Sequence, residues 1–541
     1  MMIKKTLVAV AIVSIFTTTT AQAVNLSQDT TGQVLLYPYY NVNEGNVTFV
    51  SVTNTTDEVK AAKVRFREGV GGESVFDLSL YLSPRDVWVG AVYQQAGAVK
   101  LSVPADTSCT VPNTAALESN SFSSARIDAA YDPDGDGTQT ADEILARLSE
   151  GHIEVIEMAE LPYTTGGSDI ADAVTHYQHR LAFPVTPVDC SVAVTFTDTT
   201  DLGAILDAGI VTASGVSQDF ANPGGGLYGD AAIFNANSGI YFPYNATALK
   251  QFAASPIWWP QNTQPFTAVE GAAAGVDSAG NAIANYRTAD NGTTVPQAGG
   301  TLNIDLPDLS TPTTAEVSAD SAAYHVVSSV AATGAPAINT GSFGGAVAVG
   351  DRAMDDKASA VSAALTGRTL MSNFLTTGDY ATDWIVTFPT RYTKVSDNAV
   401  EPARAPFTGS EDPSNGMSCH SLDIDLWNRE EDKINNNIGI LPLPRPSLCY
   451  VVNVQAINNS SGEYSAATAS KAVKIDAPIG GNFSDGWVSI DLSEYTATPA
   501  VGSVPAVVRG LPVLGFTAVA DTVSGTERGG VFPSRILVDE Q

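Results

Sequence analysis

Lys63-Val64-Arg65-Phe66-Arg67 and, one turn later, Phe76-Asp77-Leu78-Ser79-Leu80-Tyr81-Leu82 decide the fold class. In both stretches the side chains change character at every second residue. Val64 and Phe66 point one way and Lys63, Arg65 and Arg67 the other; Phe76, Leu78, Leu80 and Leu82 alternate with Asp77, Ser79 and Tyr81. A period of two belongs to a strand, whose successive side chains leave opposite faces. The intervening stretches carry turn chemistry: Asn43-Glu44-Gly45-Asn46, Asn54-Thr55-Thr56-Asp57 and Gly69 to Gly72. Short strands at this spacing from Val34 to Val92 predict a β-sandwich. The row Lys63, Arg65, Arg67 reads as a solvated strand face, or, more sharply, as a basic contact for an acidic neighbour or a surface polysaccharide.

Strand texture returns after Leu370, in Trp384-Ile385-Val386-Thr387-Phe388, Leu448 to Val454, Ala472 to Ile475, Trp487 to Leu492 and Val513 to Val519. Between about Thr200 and Thr366, by contrast, Ala, Gly, Ser, Thr and Asn dominate and turn signals are dense. The expected fold is all-β: a multi-domain β-sandwich with a loop-rich middle region and a few short helices. The expected boundaries are an N-terminal sandwich over 24–200, a middle region over 201–366 and a C-terminal sandwich over 367–541. Asp355 to Leu365, rich in alanine, is expected to be helical. Trp258 and Trp259 read as core in preference to an exposed anchor. Gly224, Gly226 and Gly229 satisfy GxGxxG, but no apolar strand precedes them and no helical period follows, so a dinucleotide site fails its context.

Asp132-Pro133-Asp134-Gly135-Asp136-Gly137-Thr138-Gln139-Thr140-Ala141-Asp142-Glu143 has the form of a twelve-residue calcium loop. Asp132, Asp134 and Asp136 place carboxylates at positions 1, 3 and 5, and Gly137 permits the sharp turn. Thr138 offers a carbonyl, Thr140 a hydroxyl at position 9, and Glu143 two closing oxygens. A hard cation needs six or more oxygens at about 2.3–2.6 Å, which this spacing can supply. Gln139 stands where an aliphatic residue is usual, and no amphipathic helix enters the loop. A helix can leave it through Ile144, Leu145 and Leu148. The competing reading is an acidic surface turn. Downstream, His152 to Met158 reads as a strand on which Ile153, Val155 and Ile156 are apolar and Glu154 and Glu157 stay wet; the loop is therefore expected to join two strands. His176 and His179 lack a third clustered ligand and read as structural.

Lys4 and Lys5, the apolar run Leu7 to Phe16 and Ala21-Gln22-Ala23 have the order of an export signal, residues 1–23. The run is too short to span a bilayer, and no later one approaches the length of a membrane helix. Removing residues 1–23 takes away two lysines and no acids, leaving 25 basic against 58 acidic residues, a net charge of −33. Such a surface repels nucleic acid and attracts divalent cations. Cys109, Cys190, Cys419 and Cys449 allow three pairings; Cys109–Cys190 and Cys419–Cys449 are favoured because each pair lies within one half of the chain. Between the second pair, Asp423, Asp425, Glu430, Glu431, Asp432 and Asn435 to Asn437 read as a solvated acidic loop. HExxH, GxSxG and GxxxxGK[ST] do not occur, so catalysis has no positive support. The irregular middle and the non-aromatic C-terminus tell against an outer-membrane barrel.

Leu35-Leu36-Tyr37-Pro38-Tyr39-Tyr40-Asn41-Val42, Lys63 to Gly69, Gly151 to Met158 and Thr382 to Pro389 resemble phrases of the surface-layer proteins of marine gammaproteobacteria. The resemblance spans the mature chain. It implies an exported coat protein on the outer face of a Gram-negative outer membrane, shed into biofilm matrix, that assembles with itself, usually with divalent cations, on lipopolysaccharide. It carries over no catalytic residue. The residues lead to the same expectation: like acidic chains pack only when cations or basic rows neutralise the contact. Millimolar calcium fills an extracellular site of roughly 10⁻⁴–10⁻³ M affinity. The alternative is a secreted polysaccharide-binding module using Trp258, Trp259 and the clumped tyrosines; a secreted hydrolase ranks third.

Overall fold

The computed structural model describes residues 24–537 apart from 125–126, 128–138, 164–168, 177–186, 188, 200–209, 214–215, 254–255, 259–260, 262–285, 289–293, 297–306, 310–360, 378–379, 394, 396–404, 409, 413–416, 422, 434–446, 458–466, 477–484, 498–499, 502–503, 506–507 and 522–527. The expected export segment 1–23, Trp259 and His179 lie outside the described residues. Of the expected helix 355–365, residues 361–365 are described and helical. Among the described residues no helix is long and apolar enough to cross a membrane.

Among the described residues of the N-terminal part, twelve strands make its two larger sheets: β1 (Asn25–Leu26), β2 (Val34–Asn41), β3 (Asn46–Asn54), β4 (Val59–Glu68), β5 (Ser74–Leu82), β6 (Val87–Gln95), β7 (Ala98–Ser102), β8 (Cys109–Val111), β9 (Glu150–Leu161), β10 (Leu227–Asn235), β11 (Tyr241–Asn245) and β12 (Thr247–Lys250). They form a seven-stranded sheet, β1-β12-β2-β9-β4-β5-β8, and a five-stranded sheet, β11-β10-β3-β6-β7. Strands β10 to β12 come from the stretch assigned to the middle region, so both sheets are completed by chain beyond residue 200. Their texture hid them. Pro243 lies in β11, at a sheet edge, where a missing N–H costs no ladder bond.

Among the described residues of the C-terminal part, nine strands make its two larger sheets: β13 (Thr369–Leu375), β14 (Tyr380–Thr387), β15 (Asp423–Asn428), β16 (Val452–Ile457), β17 (Lys474–Asp476), β18 (Asp485–Asp491), β19 (Leu514–Asp521), β20 (Arg528–Pro533) and β21 (Arg535–Leu537). One sheet runs β17-β16-β14-β19-β20 and the other β15-β18-β13-β21; among the described residues only the β16–β17 pairing is parallel. Part of the expected acidic loop is therefore strand β15, on which Ile424 and Leu426 turn inward and Asp425 and Trp427 outward. The mixed composition concealed an alternation in which only one residue in two is apolar.

Register explains how the N-terminal core forms. Val64 lies between Leu78 and Val155, and Phe66 between Phe76 and Ile153. The Phe66 and Phe76 rings meet Phe122 at 5.2 and 5.0 Å. On the opposite face Arg65 lies between Asp77 and Glu154, and Arg67 opposite His152. This face is buried as well: Lys63, Arg65 and Arg67 are at most 3 % exposed, which overturns the expectation of a solvated row. Lys63 Nζ donates to Gln261 Oε1 at 2.5 Å, Arg65 to the Pro307 carbonyl at 2.9 Å, and Arg67 lies 3.7 Å from the centre of the Tyr392 ring. Trp258 Nε1 donates to Tyr81 Oη on the same face, so Trp258 is core as expected.

The strand Trp384-Ile385-Val386 shows why the two parts are inseparable. Trp384 and Val386 enter a core with Leu370, Phe374, Ile424, Leu426, Val488 and Ile490. Ile385 points the other way and, with Val454, Phe516 and Ala518, continues the N-terminal core. A sheet buried on both faces reads as an unbroken apolar run, as this one does. Tyr244 stacks on Phe516 at 4.8 Å, Thr387 Oγ1 donates to the Pro38 carbonyl, and Val451 and Val452 donate their N–H groups to Val70 and Gly69. Disulfides join Cys109 to Cys190 and Cys419 to Cys449, the favoured pairing.

Candidate functional site

Asp132, Asp134, Asp136 and Thr138 of the expected calcium loop lie outside the described residues. Thr140 and Glu143 are described, and they start a helix, α2 (Ala141–Leu148), which follows a shorter one, α1 (Thr114–Ser119). Thr140 is the N-cap. Its hydroxyl accepts from Glu143 N at 3.3 Å, while Glu143 Oε2 accepts from Thr140 N at 2.5 Å, a reciprocal capping box. A helix therefore leaves the loop through Ile144, Leu145 and Leu148, as expected, and it separates the loop from strand β9, which the loop was expected to join directly; the box supplies two of the helix's orphan N–H groups with partners. Leu148 is buried, and Ile144 and Leu145 pack against the core.

From this helix Arg147 reaches inward. Its Nε and Nη2 donate to the two oxygens of Glu68 at 3.2 and 2.9 Å. Glu68 also accepts from the N–H groups of Val70, Gly71 and Gly72 at 2.7–2.9 Å. Burial pushes this carboxyl up, but Arg147 and the turn's N–H groups outweigh it and hold it below the usual range. The end of the loop is thereby tied, through one helix, to the turn between β4 and β5.

The acids of β9 are also inside, which corrects the expectation that Glu154 and Glu157 stay wet; both are fully buried. A carboxylate is tolerated there only when paired and hydrogen-bonded. Glu154 pairs with Arg67 at 3.0 Å and with His152; despite burial, the Arg67 charge holds it below its usual value. Glu157 pairs with Lys60 at 2.8 Å, and Lys60 also meets Glu160. The glycine stretch that mimics a phosphate loop completes this site: Gly224 and Gly225 donate their N–H groups to Glu157 at 3.1 and 2.7 Å. Gly225 and Gly226 have φ of 78° and 84°, which a side chain resists. The loop does cradle an anion, but one supplied by its own chain. Burial nevertheless pushes Glu157 up to about 7.

Glu150 joins the two parts. It accepts from Tyr39 Oη, Ser470 Oγ and the N–H groups of Lys471 and Ala472 at 2.5–2.8 Å. Burial outweighs these bonds and raises its carboxyl. His176 bonds Ser83 Oγ at 2.6 Å and Thr107 Oγ1 at 3.0 Å, so both ring nitrogens serve the fold.

One further constellation escaped the sequence reading. On the outer face of the four-stranded sheet, Trp427, Trp487 and Asn373 lie side by side across β15, β18 and β13. The indole rings are stacked, 5.6 Å apart and 4° from parallel. With Phe532 and Arg429 they line a groove of about 740 Å³, adjoined by a second of about 430 Å³ that shares Asn373, Trp487 and Phe532. Trp487 is 37 % and Phe532 39 % exposed. Asp485, only 7 % exposed, also lines the groove; its Oδ2 pairs with Arg429 and its Oδ1 has no hydrogen-bond partner among the described residues. The outward period-two positions of β15 and β18 are the signal that could have found it, since both strands place a tryptophan in register. Comparison of the chain with family models, curated proteins and solved structures finds no match.

Proposed function

We propose that this is a secreted structural protein whose copies assemble side by side, with calcium, as a surface layer or extracellular matrix. The burial of Lys63, Arg65 and Arg67 carries the reading. A chain with 31 more acidic than basic residues repels its own copies unless something neutralises the contact. The basic row that could have met an acidic neighbour is enclosed by Asp77 and Glu154 of its own sheet and by the segments laid over it, so neutralisation falls to cations from solution. The loop Asp132–Glu143 supplies the type of oxygen donors a calcium ion takes, and salt shortens the remaining repulsion to roughly 3 Å near 1 M. A shared core, two disulfides and the Glu150 contacts favour a block of constant shape, which a repeating array requires.

The test is assembly of the full chain followed by electron microscopy and sedimentation, with calcium and after exhaustive chelation. Ordered sheets are expected with calcium, dispersal without it, and recovery on adding it back. Asp134→Ala with Asp136→Ala should abolish assembly at millimolar calcium while leaving the Thr140–Glu143 cap intact. Sheets that persist after chelation, or in that double variant, would remove calcium from the mechanism; a full chain that never assembles would remove the coat itself.

A further inference from the structure

We propose that the groove along Trp487 and Phe532 binds pyranose rings of a neutral polysaccharide. A pyranose has one face of C–H groups and a rim of hydroxyls. Trp487, partly exposed in both hollows and with its ring stacked on Trp427, offers an aromatic surface to the first. Asn373, beside it in register, offers an amide donor and acceptor to the second.

The independent observation is Asp485. A buried carboxylate oxygen without a donor is costly, and such atoms call for an external partner. Asp485 lines the groove; its Oδ2 is fixed by Arg429, and its Oδ1, buried just beneath, has no hydrogen-bond partner among the described residues. A sugar hydroxyl is the donor that fits a site bounded by aromatic rings. Volume agrees: about 740 Å³ lies within the range of small-ligand clefts. The second hollow continues the first along the sheet, so an extended chain fits better than a single free sugar.

Charge selects a neutral chain. Arg429 and Arg535 stand against Glu431 and Asp485 in the linings of the two hollows, and Lys433, whose Nζ lies 5.4 Å from the centre of the Trp427 ring, pairs with Asp425, so the patch is balanced within a strongly acidic molecule. An anionic polymer would gain nothing locally and would meet the repulsion of the whole chain. The proposal does not depend on assembly between copies, since the groove belongs to one chain.

The experiment is affinity electrophoresis of the full chain, in chelator to keep it dispersed, through gels cast with β-1,3-glucan, galactomannan, dextran or anionic alginate. Retardation by at least one neutral polymer is expected, with a change in tryptophan fluorescence. Trp487→Ala, an exposed position, should weaken it at least ten-fold while leaving the thermal midpoint unchanged, and Asp485→Asn should weaken it with Trp487 in place. Absence of retardation in every neutral gel overturns the proposal, as does equal retardation of W487A, or retardation by alginate alone. If W487A instead changes the sedimentation of the protein by itself, the groove is a contact between copies and the proposal fails, whatever becomes of calcium-dependent assembly.

Discussion

Arg147 and Glu68 illustrate how much a single buried pair carries. The pair is closed on all sides, so removing one partner strands the other charge away from water. Arg147→Ala is expected to lower unfolding free energy by about 3–5 kcal/mol, read from urea denaturation, provided unfolding remains two-state. Glu157 makes a prediction of a different kind. Burial raises its folded-state value from 4.5 to about 7, so the folded chain holds that proton more tightly than the unfolded one. Its contribution is complete below about pH 4.5 and is lost as pH rises toward about 7. Glu68 and Glu154, held low, act in the opposite sense and lose their contribution as pH falls below the ordinary carboxylate value. The stability of the wild type relative to Glu157→Gln should therefore decline between pH ~5 and pH ~8, in denaturant midpoints measured on both proteins. A difference that grows with pH would reverse the assignment.

The helix α2 is the element on which the cation loop and the core meet. It has two and a half turns at most, too few to stand alone, and depends on its cap and on Arg147, Leu148, Ile144 and Leu145 for its position. Thr140→Ala removes the hydroxyl of the capping box and should cost about 1 kcal/mol in the same denaturation assay. Thr140→Ser keeps the hydroxyl and should cost much less. Strand β9 is the second decisive element. Its twelve residues carry Glu150, His152, Glu154 and Glu157 through the middle of the seven-stranded sheet, so polar residues on a central strand are paired from both neighbours and from the segments laid over them.

At the scale of the whole molecule the two-faced sheet makes one cooperative unit out of two sandwiches. Ile385 and Trp384, adjacent in sequence, enter different clusters, and neither cluster can lose that strand and keep its packing. Calorimetry should accordingly show one transition for the full chain. Glu150→Ala leaves Ser470 and the N–H groups of Lys471 and Ala472 without their acceptor at the junction; it should lower the midpoint by several degrees while preserving a single peak. Two resolved peaks in the wild type would show that the shared core does not couple the parts.

Alternation in Lys63–Arg67 and Phe76–Leu82, and the apolar runs after Leu370, settled the all-β class from residues alone, because the period of side-chain direction is a local property of the backbone. The pairings Cys109–Cys190 and Cys419–Cys449, across 81 and 30 residues, were legible as well, because each bridge stays within one half of the chain. Tertiary structure decided what lay on the far side of each strand. Only the segments carrying Trp258, Gln261 and Tyr392, hundreds of residues away, turn the basic row of β4 from a wet face into a buried one; only the pairing of β15 with β18 sets Trp427 beside Trp487. A strand's two faces are written in its sequence, but which face meets water depends on what the rest of the chain places against it.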